Sequence, residues 1–250
     1  MVSDVFGVLS VDVIKTRVQD MPAYLYYTPP VPPEKGRPGV VVLHAFNQKP
    51  EDVERYSMDF ATRGMVVLAP KYTDASDGVA TAIRALRRLK SITWVDPEMV
   101  GLFGISLGGT VSLLASTQEN VRFVVDVAGW VDLADLYVFL SKFPKGSPQK
   151  YIADLVKSTL GEPEENRELY SLASPITYAD GITGSVLIIH GSKDEMVSLS
   201  QSQLLYNKLK ELGRDVELVI IEGGGYLLVG KEEDVINATY SFLSKRGIVA

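Results

Sequence analysis

Six short apolar runs punctuate the chain: Val40–His44, Met65–Pro70, Met99–Phe103, Phe123–Val127, Val186–His190 and Val216–Ile221. They are rich in β-branched residues and show little alternation of apolar and polar positions. A strand without a polar face is buried on both sides, as in a mostly parallel sheet between two helical layers. The stretches between the runs carry helix punctuation. Pro50, Glu51 and Asp52 read as the first turn of a helix that ends at Gly64. Ser198 and Gln201 have capping-box spacing, and the helix they open is expected to stop at Gly213. Residues 232–246 set Val235, Ile236, Tyr240 and Leu243 at helical spacing, with acids leading and Lys245 and Arg246 closing. Residues 3–28 read as an antiparallel pair of lead-in strands, followed by a proline-rich turn from Pro29 to Pro38. This order predicts a doubly wound α/β sandwich.

From Trp130 to about Ala179 the rhythm breaks. Helical patterns at Leu133–Phe143 and Tyr151–Leu160, a turn at Pro144–Pro148 and an acidic patch at Glu162–Glu168 replace any long strand. An insertion of this kind at the carboxyl end of a strand covers a pocket. One domain spanning residues 1–250, with a lid-like insertion at about 130–179, is therefore expected.

Composition narrows the chemistry. The 250 residues contain no cysteine and two histidines, His44 and His190. Disulfides, thiolate metal sites, a cysteine nucleophile and a histidine-rich metal centre are excluded. The net charge of −6 argues against a nucleic-acid partner. Arg84, Arg87, Arg88 and Lys90 cluster on one helical pattern and read as a solvated face. No apolar run approaches the roughly 20 residues of a membrane span, and Met1–Phe6 lacks the look of a signal peptide. A cytoplasmic protein with no membrane partner, no metal and no cofactor is expected. Self-association is left open.

Gly104-Ile-Ser106-Leu-Gly108-Gly109 follows one apolar run and precedes the apolar helical stretch Thr110–Ser116. A G-x-S-x-G turn between strand and helix holds a serine in strained backbone, with glycines where side chains would collide. The following helix aims its N-terminus and the Leu107 N–H at a developing oxyanion. With this motif the chain resembles the α/β-hydrolase superfamily, in particular its dienelactone hydrolase and prolyl-oligopeptidase-like branch.

Two further segments carry that resemblance. Leu43-His44-Ala45-Phe46 is similar to the family's "HG" turn, whose backbone supplies the second oxyanion donor. By position that donor is Phe46, ahead of Ala45, and the alanine is a departure from the family's glycine. His190-Gly-Ser-Lys-Asp194-Glu-Met-Val197 matches "HG-x-x-D-x-x-V", which makes Asp194 the triad acid. The resemblance implies a three-layer α/β-hydrolase sandwich, a mostly parallel sheet with helices on both faces and a small helical lid. It also implies acyl transfer to water through an acyl-enzyme on Ser106.

The third triad member departs from the pattern. The family carries its histidine in a glycine-rich loop after the last strand, and here that loop reads Glu222-Gly-Gly-Gly-Tyr226. A phenol with a pKa near 10 is a poor proton acceptor at neutral pH. A severely impaired hydrolase is expected: either an otherwise intact enzyme with its base replaced, or a natural non-catalytic binding protein. His44 and His190 read as buried, satisfied histidines rather than substitute bases.

Trp130, Leu136, Tyr137, Leu140 and Phe143 are expected to line a mainly apolar pocket for a small ester. An ester is expected ahead of a peptide because these residues include no large accessory domain of the peptidase branch. Gly225-x-x-x-x-Gly230-Lys231 nearly matches a phosphate-binding P-loop, but Glu232 stands where a Ser or Thr must bind magnesium.

Overall fold

The structure is a computed structural model that describes residues 10–30 and 36–249. Residues 3–9 of the lead-in pair, the chain start and residues 31–35 of the proline-rich turn lie outside the described residues. A hairpin, β1 (Asp12–Val18) and β2 (Met21–Tyr27), opens the described chain. It leads through β3 (Arg37–Leu43), α1 (Glu54–Thr62), β4 (Val66–Pro70) and α2 (Ala75–Lys90) to β5 (Val95–Ile105). Then follow α3 (Leu107–Ser116), β6 (Phe123–Val127), α4 (Leu133–Ser141), α5 (Pro148–Leu160) and α6 (Arg167–Leu172). The last elements are β7 (Ser185–Gly191), α7 (Leu199–Glu211), β8 (Val216–Ile221) and α8 (Glu232–Lys245).

The eight strands make one sheet in the order β1-β2-β4-β3-β5-β6-β7-β8. β2 runs antiparallel to β1 and to β4, and the pairs from β4 through β8 are parallel. Every apolar run of the sequence has become a strand. Their missing alternation has the expected cause. Val41 and Leu43 turn into one core with Leu86, Val111 and Leu205, while Val40 and Val42 turn into the other with Phe60 and Phe242. α2, α3 and α7 cover one face of the sheet, and α1 and α8 the other.

Several element starts differ from the sequence reading, β3 at Arg37, α3 at Leu107 and α5 at Pro148 among them. β5 begins at Val95, not Met99, because Val95 pairs with Arg37 ahead of an irregularity in the β3–β5 register. The stretch from Pro50 starts as a 3-10 turn before becoming α1 at Glu54. The capping box at Ser198 is not formed: Ser198 Oγ bonds Ser200 Oγ, and Gln201 turns elsewhere. Fully buried, Gln201 accepts from the Val131 and Asp132 amides at 2.8 Å each and donates to Asp135 Oδ2. Its helix thus fastens the first residues of the insertion, which are otherwise buried donors with no partner.

The insertion after β6 is the helices α4, α5 and α6 with a 3-10 turn at Pro175–Gly181. It packs a small core from Leu133, Leu136, Leu140, Ala153 and Tyr170, joined by Val197 from the loop after β7.

Candidate active site

Ser106 stands between β5 and α3 with φ 53° and ψ −115°, left-handed backbone that a non-glycine residue adopts only under constraint. The glycines explain why the turn closes. A Cβ on Gly104 would strike the Gly108 carbonyl, and one on Gly108 would strike the Leu43 carbonyl. The Ser106 amide donates to Val127 O at 2.8 Å, and the Ser106 carbonyl accepts from Gly109 and Thr110 as α3 begins. The side chain is buried, 4% exposed.

Tyr226 reaches it. The glycine loop after β8 brings Tyr226 Oη to 3.2 Å from Ser106 Oγ. Burial pushes this phenol above its usual range, the Ser106 hydrogen bond opposes that, and the nearby Asp194 carboxylate adds to it. Tyr226 is therefore neutral at physiological pH. Leu227 and Leu228 immediately after it have φ 60° and 52°, so the loop is strained just past the site.

Asp194 lies in the loop after β7 with its side chain fully buried. Oδ1 accepts from the Met196 and Val197 amides at 2.8 and 2.9 Å, whereas Oδ2 has no hydrogen-bond partner and lies 3.9 Å from His190 Nε2. Burial raises this carboxyl above the usual carboxylate range, against the pull of the two amides. The geometry of a phenol accounts for the difference. An imidazole carries a nitrogen on each edge and serves a serine and a carboxylate together; a phenol has one polar atom, and here it faces Ser106.

The backbone around the serine is arranged for an oxyanion. Leu107 is the first residue of α3, with its N–H at the positive end of the helix. In the β3 turn, the Ala45 N–H donates to Gln48 Oε1 at 3.1 Å. His44 stacks on the Tyr72 ring with centroids 4.1 Å apart, and Tyr72 donates to the His44 carbonyl. Its Nδ1 donates to Ala45 O at 2.8 Å, but its buried Nε2 has no partner, contrary to the expectation of a fully satisfied residue. Burial holds its pKa down, so the ring is neutral. His190 meets the expectation: Nε2 donates to Val197 O at 2.9 Å and Nδ1 accepts from Ser202 Oγ at 2.7 Å. It braces the loop that carries Asp194, and burial keeps it neutral.

A model of the prolyl oligopeptidase family matches residues 70–246, most of the chain and all of the elbow, acid and loop segments. The chain belongs to the prolyl oligopeptidase family. Within this serine hydrolase family it is 28% identical over 171 residues to the "Uncharacterized peptidase YtmA" of Bacillus subtilis (strain 168), 64% of each protein. It is 27% identical over 154 residues to human Dipeptidyl peptidase 8, 60% of this chain but 16% of that protein. Among solved structures, a puromycin-hydrolyzing peptidase of Mycobacterium tuberculosis superposes over 93% of this chain and 39% of its own, with TM-score 0.76 and 21% identity. A thermophilic esterase of Thermogutta terrifontis, solved with butyrate, superposes over 96% of this chain and 95% of its own, with TM-score 0.70 and 20% identity. These likenesses establish an α/β-hydrolase fold.

Around the prolyl oligopeptidase-type elbow, the residues expected to line a pocket divide. Leu136 and Leu140, one helical turn apart, face the insertion's own core beside Leu133. Tyr137 donates to Glu162 Oε2 at 2.7 Å, and Phe143 packs edge-on against Phe139. Trp130 packs against both the sheet core and the insertion core, with its buried Nε1 unpartnered. Asp132 caps α4, Asp135 holds Gln201, and Asp126 is fully buried under the elbow, accepting from the Gly129 amide. Among the described residues no three His, Asp or Glu side chains converge as a ligand set. The P-loop match fails in space as well, because Glu232 Oε1 accepts from the Gly230 N–H that would face a phosphate. No helix among the described residues is long and apolar enough to cross a membrane.

Proposed function

We propose that this chain is a carboxylesterase-type serine hydrolase for small, mainly apolar esters, and that Tyr226 leaves it impaired. The single observation that carries the reading is the pairing of Ser106 Oγ with Tyr226 Oη while Asp194 Oδ2 is left unpartnered. In the full reaction Ser106 Oγ bonds the carbonyl carbon and its proton passes to the residue at 226. The Leu107 and Phe46 amides hold the oxyanion, the alcohol departs with that proton, and water then releases the acyl group. A neutral phenol donates a hydrogen bond but does not take the serine proton at neutral pH. Esters fit this site better than peptides, because a good alkoxide leaving group departs without protonation and an amine does not. The fold itself carries both chemistries, as the esterase and peptidase neighbours illustrate.

The test is hydrolysis of p-nitrophenyl acetate and butyrate by this chain and by Tyr226→His. Tyr226→His is expected to raise kcat/KM by roughly 10²–10⁴-fold, the usual worth of a positioned acid–base group. Equal, negligible rates in two folded proteins overturn the triad assignment.

A second reading, a non-catalytic binding protein, draws on the burial of Ser106 behind a neutral phenol. Fluorophosphonate labelling separates the two. Slow labelling that Ser106→Ala abolishes supports the hydrolase; absent labelling with tight binding of an apolar ester supports the binder. A peptidase role, as the Bacillus relative is named, predicts release of p-nitroaniline from peptide anilides by Tyr226→His at rates matching its esterase activity.

A further inference from the structure

Away from Ser106, the β1–β2 hairpin meets α2 across a cleft of about 330 Å³. Its walls are Arg17, Val18, Gln19, Arg84, Arg87 and Arg88: four arginines and no acid, in a chain of net charge −6. Glu119 neutralises Arg87 at 2.8 Å. Among the described residues, no carboxylate pairs with the other three. Arg17 Nη2 donates only to the Asp20 carbonyl and Arg84 Nη2 only to Thr81 Oγ1, while Arg84 Nε finds no acceptor. Like charges gathered this closely repel until a counter-ion joins them. A guanidinium's planar fork matches the paired oxygens of a carboxylate or phosphate.

The cleft continues into a groove of about 1200 Å³ between α2, α3 and α6, with Gln19, Arg84 and Arg87 in both walls. Val79, Ile83, Leu114, Leu169, Leu172 and Tyr178 supply its apolar surface, and it too has no acidic wall residue. Leu169 and Leu172 are 45% and 57% exposed. A cationic mouth thus opens onto an apolar trough, and neither shares a wall residue with the Ser106 site.

We propose that cleft and groove together bind an amphiphilic organic anion, its carboxylate or phosphate head among Arg17, Arg84 and Arg88 and its alkyl tail along Ile83, Leu169 and Leu172. The occupant follows from the complementarity of charge at one end and apolar surface at the other. This site stands independently of the reaction at Ser106.

Calorimetric titration with dodecanoate and dodecyl phosphate, below their micelle concentrations, tests the proposal. One saturable site is expected, weakened at least tenfold in Arg84→Gln/Arg88→Gln and in Leu172→Glu. Dodecyltrimethylammonium should not bind, and the preference between the two anions identifies the head group. Arg88→Gln alone, at an exposed position, keeps the test standing if the double variant fails to fold. Absent saturation, equal binding of the cationic chain, or binding that ignores these substitutions overturns the proposal. So does a dimer that Leu172→Glu dissociates, which would make a second copy the occupant.

Discussion

Tyr226 Oη lies 3.2 Å from Ser106 Oγ, where the proposed reaction calls for a proton acceptor, and burial moves its pKa further from neutrality. If the phenol takes no part in proton transfer, removing its hydroxyl changes little. Tyr226→Phe is expected to hydrolyse p-nitrophenyl butyrate within about tenfold of the unmodified chain; a fall of 10²–10⁴-fold would show the phenol acting as acid or base. The turns that carry Ser106, Asp194 and Tyr226 were legible as short local motifs with glycines, and the structure brings Ser106 and Tyr226 together. What the motif did not disclose is which neighbour Tyr226 would serve. That depends on a loop from β8 meeting the end of β5, with 120 residues separating the pair. The β3 turn was similar: the sequence placed Phe46 ahead of Ala45 but did not show that Gln48 Oε1 would take the Ala45 amide.

At the scale of elements, one buried side chain of α7 ties the first residues of the insertion to the body of the fold. Gln201→Ala would leave the buried Val131 amide and the half-buried Asp132 amide without their protein acceptor. The expected cost is about 2–4 kcal/mol, read as a lower urea midpoint with early proteolysis near residue 131. A loss under about 0.5 kcal/mol would mean that water or a shifted backbone replaces the amide. Helix and strand existence followed from periodicity, since each apolar run has only one role in a sheet covered on both faces. Gln201 shows where that reading stops. Its spacing from Ser198 satisfies the capping pattern, but the amide finds three partners on the insertion and leaves the cap.

Across the whole molecule, the sheet separates two cores and buries Asp126 on its fourth parallel strand counted from β4, beneath the elbow. Burial pushes Asp126 up to about 7, against the single Gly129 amide bond, and its Oδ2 is unpartnered. The unfolded chain releases this proton near 3.8. Between those pH values the fold retains a proton that the unfolded chain has lost, so stability falls as pH rises. The contribution is of order 4 kcal/mol. Asp126→Asn is expected to remove it: the variant's thermal midpoint should change less than the unmodified chain's between pH 4 and pH 8. Identical pH profiles would place the ionisation of Asp126 outside that range. The basic cluster on α2 also changes meaning at this scale. Read along the helix it is a solvated face; with Arg17 brought across by the hairpin, it becomes one wall of an open, arginine-lined cleft.

By itself the sequence determined the alternation of strands and helices, the Gly-x-Ser-x-Gly turn, and the glycine-flanked loops that carry Asp194 and Tyr226. These are local matters, set by side-chain periodicity, glycine sterics and spacing within a few residues. Tertiary structure alone decided that Asp194 Oδ2 has no hydrogen-bond partner, that Gln201 anchors the insertion, that Leu136 and Leu140 face its core, and that four arginines converge. Each of those outcomes joins segments far apart in the chain. A partner's identity there depends on strand order and register, which no single stretch of residues encodes.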